Sequence, residues 1–379
     1  MRQPRGPGEG NGVSGDDHAF MDGALALARR GMGETWPNPT VGCVFVRDGR
    51  VIARGRTARG GRPHAEAAAI EAARVVGLDL AGTTAYVSLE PCSHHGRTPP
   101  CADALVEVKV ARVVVATGDP DPRVAGGGLK RLRDAGIAVL EGVRSAEADE
   151  INAGFFQRVR QGRPLVTLKL ATSLDGRIAT MTGESKWITG PDARAWGQLL
   201  RATHDAIMVG IGTAAADDPE LTCRLPGLGD RSPVRIVIDS AARLALDSKL
   251  VSGAKQVPVW LVCGEAANTS ALAATGVEIV KVPATWSGTV DLAAALAALG
   301  GRGLTRVLVE GGGRLAASLL AANLVDRLAI FRSGVVIGGD GLAAVAGYGL
   351  EKLDLARRYT RQSLQEIGAD TLETWARGH

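Results

Sequence analysis

The sequence lacks the features that would place it in several broad classes of protein. No apolar run approaches the roughly 20 residues that cross a bilayer. Its 44 Lys and Arg residues nearly balance 40 Asp and Glu residues, and the net charge of +4 is too small for a dedicated nucleic-acid-binding face. Five scattered cysteines in 379 residues fit a reducing compartment better than a disulfide framework. We therefore expect a cytoplasmic protein that acts on a small molecule, with no nucleic-acid or membrane partner.

The N-terminus also lacks an apolar core. Residues 1–15 are rich in Gly and Pro, so we expect a disordered tail rather than a signal peptide or a membrane anchor. The remaining length is too great for one typical domain and predicts two or three.

From residue 16 onward, helix and strand patterns alternate. Asp16 or Asp17 is predicted to cap a first helix, and the alternation that follows predicts a sheet with helices on both faces over residues 16–147. A connecting helix is expected over residues 148–162. A second strand-rich unit, residues 163–379, begins with the apolar run Leu-Val-Thr-Leu-Lys-Leu.

Two short motifs in the first half bear metal-binding chemistry. His64 lies two residues before Glu66, and Cys92 and Cys101 each follow a proline. A catalytic zinc site uses three protein ligands of this kind and keeps one position open for water. Zinc deaminases of nucleobases carry a His-x-Glu…Pro-Cys-x-x-Cys signature with the Glu as acid/base. Here eight residues, rather than two, separate the cysteines.

Two structural interpretations compete with this one. Cys92 and Cys101 could be small buried residues and His64 a helix cap. That interpretation is reasonable for any one of these residues, but much less so for all three together. A closed structural zinc site could take His94 or His95 as a fourth ligand, but it would have no use for the nearby Glu66. The other cysteines lie in or beside strand-like runs and are predicted to be core residues: Cys43, Cys223 and Cys263.

The second half gives weaker signals. Glu310 precedes three glycines between a predicted strand and a predicted helix, a pattern that could bind a phosphate on backbone N–H groups or simply begin a helix. Arg201 and Arg224 suit a bidentate grip on a phosphate, yet most arginines are surface charges. Lys169 lies in an apolar strand, and Asp175-Gly176 predicts only a turn.

Several motifs together resemble the bifunctional deaminase–reductases of bacterial riboflavin biosynthesis. The long intercysteine loop is that family's own variation, in the stretch Leu-Glu-Pro-Cys-Ser-His-His-Gly-Arg-Thr-Pro-Pro-Cys at 89–101. Pro37-Asn38-Pro39 and Asp119-Pro120-Asp121-Pro122 are similar to further segments. In the second half the similar segments are Ser173-Leu174-Asp175-Gly176-Arg177, Gly183-Glu184-Ser185, Trp187-Ile188-Thr189, Asp217-Asp218-Pro219 and Val309-Glu310-Gly311-Gly312-Gly313. The resemblance covers nearly everything from about residue 17 onward.

The resemblance implies the fold and the site residues. The fold is a cytidine-deaminase-like three-layer αβα domain followed by a dihydrofolate-reductase-like α/β domain. It implies zinc on His64, Cys92 and Cys101, Glu66 as catalytic acid/base, and Asn38 on the pyrimidine. It implies NADPH contacts from Ala171, Trp187, Thr213, Asp217, Gly312 and Gly313. It implies substrate contacts from Ser185, Arg201, Leu221, Arg224 and Glu310, and a homodimer through the reductase domain.

The implied activity is zinc-dependent hydrolytic deamination of a phosphoribosylated diaminopyrimidinone, followed by NADPH-dependent reduction of its ribosyl group to ribityl. Two alternatives stay open at this point. One is another zinc deaminase, acting on a nucleoside or on tRNA, with an unrelated C-terminal domain. The other is a zinc-stabilised module without catalysis.

Overall fold

A computed structural model describes residues 13–94 and 99–378 of the chain. Contacts divide the chain into two compact units, the first up to Arg160 and the second from Gln161. Within the described ranges, every helix is too short or too polar to span a membrane. The predicted tail (residues 1–15) falls almost wholly outside the described residues, as does His95.

The first unit is built on a sheet of strand order β2-β1-β3-β4-β5. Strand β1 is antiparallel to β2 and β3, while β3, β4 and β5 run parallel. The elements are α1 (Gly15–Arg29), β1 (Gly42–Arg47), β2 (Arg50–Arg56), α2 (Ala65–Val75), β3 (Thr84–Val87), α3 (Cys101–Glu107), β4 (Arg112–Val115), α4 (Gly127–Asp134), β5 (Ala138–Glu141) and α5 (Ser145–Gln161).

Alternating strand residues bury against helices on both faces of this sheet. On one face, Met21 of α1 packs in a cluster with Val44 and Tyr86. On the other, Phe45 packs with Leu105 of α3 and other helix residues. This arrangement confirms the predicted three-layer sheet.

The cap of α1 differs from the prediction. Ser14, not Asp16 or Asp17, is the N-cap residue, and its side chain accepts from the N–H of Asp17 at 3.1 Å. Asp17 is instead the reciprocal partner of the capping box. It is buried, and its carboxylate also accepts a hydrogen bond from Arg112 at 2.7 Å. The residue that indicates this cap in the sequence is Ser14, two residues before Asp16.

Helix α5 packs within the first unit. Ile151, Phe155 and Phe156 are buried in its two clusters, and the Asn152 amide exchanges two hydrogen bonds with the backbone of Thr40, at 3.0 and 3.1 Å. Most of the residues predicted to connect the domains (148–162) therefore belong to the first unit, and one face of their helix packs in its core.

The second unit is built on a sheet of nine strands within the described ranges, of order β11-β10-β9-β8-β12-β6-β13-β16-β15. Its elements are β6 (Leu165–Thr172), β7 (Arg177–Ala179), α6 (Pro191–Ala202), β8 (Ala206–Gly210), α7 (Ile211–Asp217), β9 (Val234–Ile238), α8 (Lys249–Ser252), β10 (Val259–Gly264), α9 (Ser270–Ala273), β11 (Glu278–Val282), α10 (Leu292–Gly301), β12 (Arg306–Val309), α11 (Gly313–Ala321), β13 (Arg327–Arg332), β14 (Leu342–Ala343), β15 (Tyr359–Ile367) and β16 (Asp370–Arg377).

Strands β8, β12 and β6 are parallel neighbours near the centre of this sheet. Their carboxyl ends therefore meet at one edge, which is where open α/β sheets bind ligands. The segments that follow β8 and β12, and the end of β6, carry several of the residues predicted to bind cofactor or substrate.

Candidate functional site

Three elements of the first unit bring the predicted zinc ligands together. His64 is the N-cap residue of α2, and Cys101 is the first residue of α3. Cys92 lies in the loop after β3 rather than at a helix start. It nevertheless reaches the N-terminus of α3, because its sulfur accepts from the Cys101 N–H at 3.3 Å.

The three side chains converge on one point. His64 Nδ1 is 3.3 Å from Cys101 Sγ and 3.6 Å from Cys92 Sγ. Within the described ranges, these residues form the one group of His, Cys, Asp or Glu ligand atoms that all lie within 4.8 Å of one another. One nitrogen and two sulfurs at this spacing are a donor set that zinc prefers, so the residues fit the metal.

The electrostatics of the cluster also suit a cation. Hydrogen bonds from Cys101 and from His64 lower the pKa of the Cys92 thiol to about 4. The same hydrogen bond and burial raise the pKa of Cys101. The hydrogen bond to Cys92 likewise raises the pKa of His64, and a metal ion would displace the protons that these groups hold.

Glu66 follows His64 in the first turn of α2 and is buried. Burial raises the pKa of its carboxyl group, with a further contribution from Cys92. A carboxyl group with a raised pKa beside a metal site is suited to take up and return a proton.

A cavity of about 260 Å³ opens onto His64, Glu66 and Cys92. Asn38 lines it and is held there by a 3.1 Å hydrogen bond from its Nδ2 to the carbonyl of Gly61. Asp119 lines it too, and burial raises the pKa of its carboxyl group to about 6. In the sequence, Asp119 is recognisable only as part of the Asp119-Pro120-Asp121-Pro122 motif, which implies no role for it.

The structure bears separately on the closed zinc site and on the other three cysteines. His94 lines the cavity but is not a member of the three-residue ligand group. Cys43, Cys223 and Cys263 are buried free thiols, as predicted for core residues.

In the second unit, Glu310 directly follows β12 and forms a partly buried ion pair with Arg201 of α6. Arg201 donates from Nε and Nη2 to the two carboxylate oxygens at 2.8 and 2.9 Å, and from Nη1 to the carbonyl of Thr222 at 3.0 Å. Lys169 of β6 lies 3.9 Å from Glu310. Burial opposes ionisation, yet the charges of Arg201 and Lys169 lower the pKa of Glu310 to about 2.

The glycines after Glu310 lead into a helix, as the pattern allowed. Gly312 is the N-cap residue of α11, and its N–H donates to the Thr213 hydroxyl of α7 at 3.1 Å. Gly313 begins α11. Thr213 and the start of α11 therefore meet at the carboxyl edge of β8 and β12.

The other predicted residues of this unit are more dispersed. Ala171 lies at the end of β6, partly buried beside Phe331, and Asp217 ends α7. Leu221 is buried. Ser185 and Trp187 are exposed, and Arg194 stacks on the Trp187 ring at 4.6 Å. Arg224 is exposed, 3.5 Å from Glu220, so the structure does not bring its guanidinium to the Arg201–Glu310 pair.

Sequence reasoning missed Lys169 as a member of this cluster. A lysine in an apolar strand was its only local signal, and its contact with Glu310 depends on the pairing of β12 with β6.

These features define a metal-dependent deaminase domain joined to an α/β domain with a ligand-binding edge. The cytidine and deoxycytidylate deaminase zinc-binding region matches residues 14–117, and the RibD C-terminal domain matches residues 164–372. The chain belongs to the RibD family of riboflavin biosynthesis enzymes, which combine a deaminase and a reductase. The predicted fold class is confirmed, and a zinc deaminase with an unrelated C-terminal domain is not favoured.

Whole-chain similarities agree with this membership. Riboflavin biosynthesis protein RibD of Escherichia coli (strain K12) is 42% identical over 93% of this chain and 97% of its own length. The RibD structure from Acinetobacter baumannii (form 1) superposes with a TM-score of 0.86 at 36% identity, covering 96% of this chain and 99% of that one. The deaminase/reductase structure from Thermotoga maritima gives 0.85 at 36% identity and the same coverage.

Proposed function

We propose that the chain catalyses two consecutive reactions on 2,5-diamino-6-(5-phosphoribosylamino)pyrimidin-4-one. The first unit removes an amino group by hydrolysis, and the second reduces the ribosyl group to ribityl with NADPH. The observation that carries the proposal is the His64, Cys92 and Cys101 cluster facing a cavity with Glu66. The name of the similar Thermotoga protein, a diaminohydroxyphosphoribosylaminopyrimidine deaminase and 5-amino-6-(5-phosphoribosylamino)uracil reductase, supports this substrate.

In the first reaction, His64, Cys92 and Cys101 would hold one zinc ion, whose Lewis acidity would lower the pKa of a water molecule so that it can react near neutral pH. Glu66 accepts a proton from the attacking water as its oxygen adds to the ring carbon that bears the 2-amino group. Glu66 then donates that proton to the leaving nitrogen, so ammonia departs and a ring carbonyl remains. Asn38 orients the pyrimidine.

In the second reaction, the ribosylamino group opens to an imine-like form. Bound NADPH would supply a hydride to the C1′ carbon of this form, and solvent would supply the proton that the imine nitrogen gains. The cofactor contacts are Ala171, Trp187, Thr213, Asp217, Gly312 and Gly313. The substrate contacts are Ser185, Leu221, Arg224 and Glu310, with Arg201 behind Glu310.

Arg201 acts on the substrate through Glu310 rather than directly. Its Nε, Nη1 and Nη2 groups already donate to Glu310 and to Thr222. Lys169 also lies beside Glu310, with its Nζ 3.9 Å from the carboxylate, and it has fewer hydrogen-bond partners than Arg201. We therefore add Lys169 to the substrate contacts, with Glu310 as the fixed anion that orients it.

We also propose that the chain forms a homodimer through the second unit, in the cytoplasm. Large apolar side chains are exposed at several positions of residues 335–355, among them Val336, Leu353 and Leu355, and such side chains can supply the apolar part of an interface. All five cysteines are free thiols, as in proteins of a reducing compartment. Sedimentation equilibrium measures the oligomeric state, and a monomer would contradict the dimer.

The experiment that tests the two reactions is mass spectrometry of the product formed by the zinc-loaded protein. We expect the deaminated compound without NADPH, and the deaminated and reduced compound with NADPH. Unchanged substrate in a folded, zinc-containing sample would overturn the proposed substrate.

The role of Glu66 is tested by Glu66→Ala. We expect deamination to fall by about 10²- to 10⁴-fold, because a positioned acid/base is removed, with zinc content unchanged. Glu71→Ala is the matched control, since Glu71 is an exposed residue of the same helix. Normal deamination by Glu66→Ala would contradict the assigned proton transfer.

A further inference from the structure

Glu90 is a buried acidic residue of the first unit to which the proposed mechanism gives no part. It lies after β3, two residues before the ligand Cys92. Its own N–H donates to the carbonyl of Thr117 at 2.9 Å, which ties this turn to the segment after β4.

The Glu90 carboxylate accepts hydrogen bonds from four backbone N–H groups of one segment, residues 119–129. Oε2 accepts from Asp119 at 3.3 Å and from Gly126 at 3.0 Å. Oε1 accepts from Gly128 at 3.0 Å and from Leu129 at 3.4 Å. Three of these groups lie at the start of α4, where N–H groups have no partner within the helix and favour a negative charge.

The segment that Glu90 holds is a wall of the cavity. Asp119, Asp121, Arg123 and Val124 all line it, as do the metal ligands His64 and Cys92. The packing is close, because a Cβ built on Gly128 would overlap the carbonyl oxygen of Pro91. The Glu90 side chain and the close contact of Gly128 with Pro91 therefore join the turn that carries Cys92 to the segment that contains the wall residues 119–124.

We infer that Glu90 is a positioning residue for deamination. Its carboxylate fixes residues 119–129 against the Cys92 turn, so that the substrate-facing wall keeps its distance from the metal ligands. This role rests on the proposed deaminase function. It is separate from metal binding, because the carboxylate contacts backbone N–H groups and is not part of the ligand group.

The test compares Glu90→Gln with Glu71→Gln in the full-length, zinc-loaded protein. Glutamine keeps the size of the side chain but replaces one acceptor oxygen with an NH₂ group, which would face backbone N–H donors. We expect the KM for the pyrimidine to rise roughly tenfold or more, since two buried N–H groups lose their acceptor. Zinc content and reduction of the deaminated compound should stay unchanged. Glu71 is exposed and pairs with Arg74, so its variant should match the wild type.

Hydrogen–deuterium exchange supplies a readout that does not depend on turnover. In Glu90→Gln, amide exchange should rise within 119–129 and stay unchanged in β1. Glu90→Asp keeps the charge on a shorter side chain and should give a smaller rise in KM, which keeps the test open if Glu90→Gln folds poorly. Unchanged KM and exchange would overturn the inference, as would loss of zinc as the primary defect. Failure of the wild type and of Glu71→Gln to deaminate would instead overturn the proposed function.

Discussion

Two glutamates acquire opposite properties from their surroundings. Burial raises the pKa of Glu66, which lies beside the metal ligands. Glu310 is partly buried, and Arg201 and Lys169 lower its pKa to about 2. Two groups of the same type can have different roles when their surroundings give them different pKa values. Glu66 is thus suited to carry a proton, and Glu310 to remain a fixed anion.

His204 is a third buried titratable group, and it locks the end of α6 to β6. Its Nδ1 lies 2.7 Å from the carbonyl of Leu200, so Nδ1 bears the proton. Its Nε2 lies 2.9 Å from the Thr167 hydroxyl and accepts from it. Burial, with the charge of Arg306, lowers the pKa of His204 from 6.5 to about 4. The ring is therefore neutral near neutral pH.

This lowered pKa predicts a pH dependence of stability. Between pH 6.5 and about 4 the unfolded chain binds a proton on His204 that the folded chain does not, so the free energy of unfolding falls as the pH falls. The site accounts for about 3 kcal/mol across that window. In His204→Asn this dependence should be shallower, whatever the stability at pH 7.

Urea unfolding followed by tryptophan fluorescence measures this effect in the second unit. That unit contains Trp187, Trp196, Trp260, Trp286 and Trp375, whereas Trp36 alone lies in the first. Equal pH slopes for His204→Asn and the wild type would show that the histidine does not titrate as stated.

At the scale of elements, glycines decide how closely helices approach their neighbours. Gly128 lies against the carbonyl of Pro91, where a Cβ would overlap a backbone atom that cannot move aside. Gly23 lies exposed in α1, with no atom within 4 Å of a built Cβ. The same substitution should therefore have opposite effects at the two positions.

We expect Gly128→Ala to destabilise the first unit by about 1–3 kcal/mol, as overpacking does. Deamination should fall because α4 shifts from the Cys92 turn. Gly23→Ala should stabilise the unit by about 1 kcal/mol, since alanine replaces glycine within a helix. Scanning calorimetry measures the stability of both variants. If Gly23→Ala destabilised the unit, the space available to the Cβ would not explain the difference between the two positions.

Elements were predictable where apolar periodicity is strong. The apolar run that the sequence predicts at the start of the strand-rich second unit forms β6 (Leu165–Thr172), which is mostly buried. Strands β15 and β16 were not predicted, because β15 alternates little and is mostly exposed. It is held by pairing with β16, and that pairing is not encoded in the composition of either strand alone.

The same limit applies to the sites. His64, Cys92 and Cys101 were identifiable because zinc ligands have recognisable residue types and adjoining prolines. The Arg201–Glu310 pair joins residues 109 positions apart, so only the folded chain shows that the guanidinium is already engaged. Likewise, the sequence shows Glu90 only as part of a motif. Its partners are backbone N–H groups, which residue types do not reveal.

At the scale of the whole molecule, each unit has its own buried clusters and its own site. The zinc ligand group and its cavity consist wholly of residues before Arg160. The Arg201, Glu310 and Lys169 cluster and the α11 N-terminus lie wholly after Gln161. The two reactions should therefore be separable by substitution.

We expect Cys92→Ser to lose zinc and deamination but to keep NADPH-dependent reduction of the deaminated compound. Glu310→Gln should deaminate and fail to reduce, because removing the negative charge leaves Arg201 and Lys169 without their anionic partner. Neither variant alone converts the starting pyrimidine to the reduced product. An equimolar mixture should do so, because the product of one site can diffuse to the other. Mass spectrometry of the mixture measures this. Absence of reduced product, while each variant keeps its single activity, would mean that the two sites must belong to one chain.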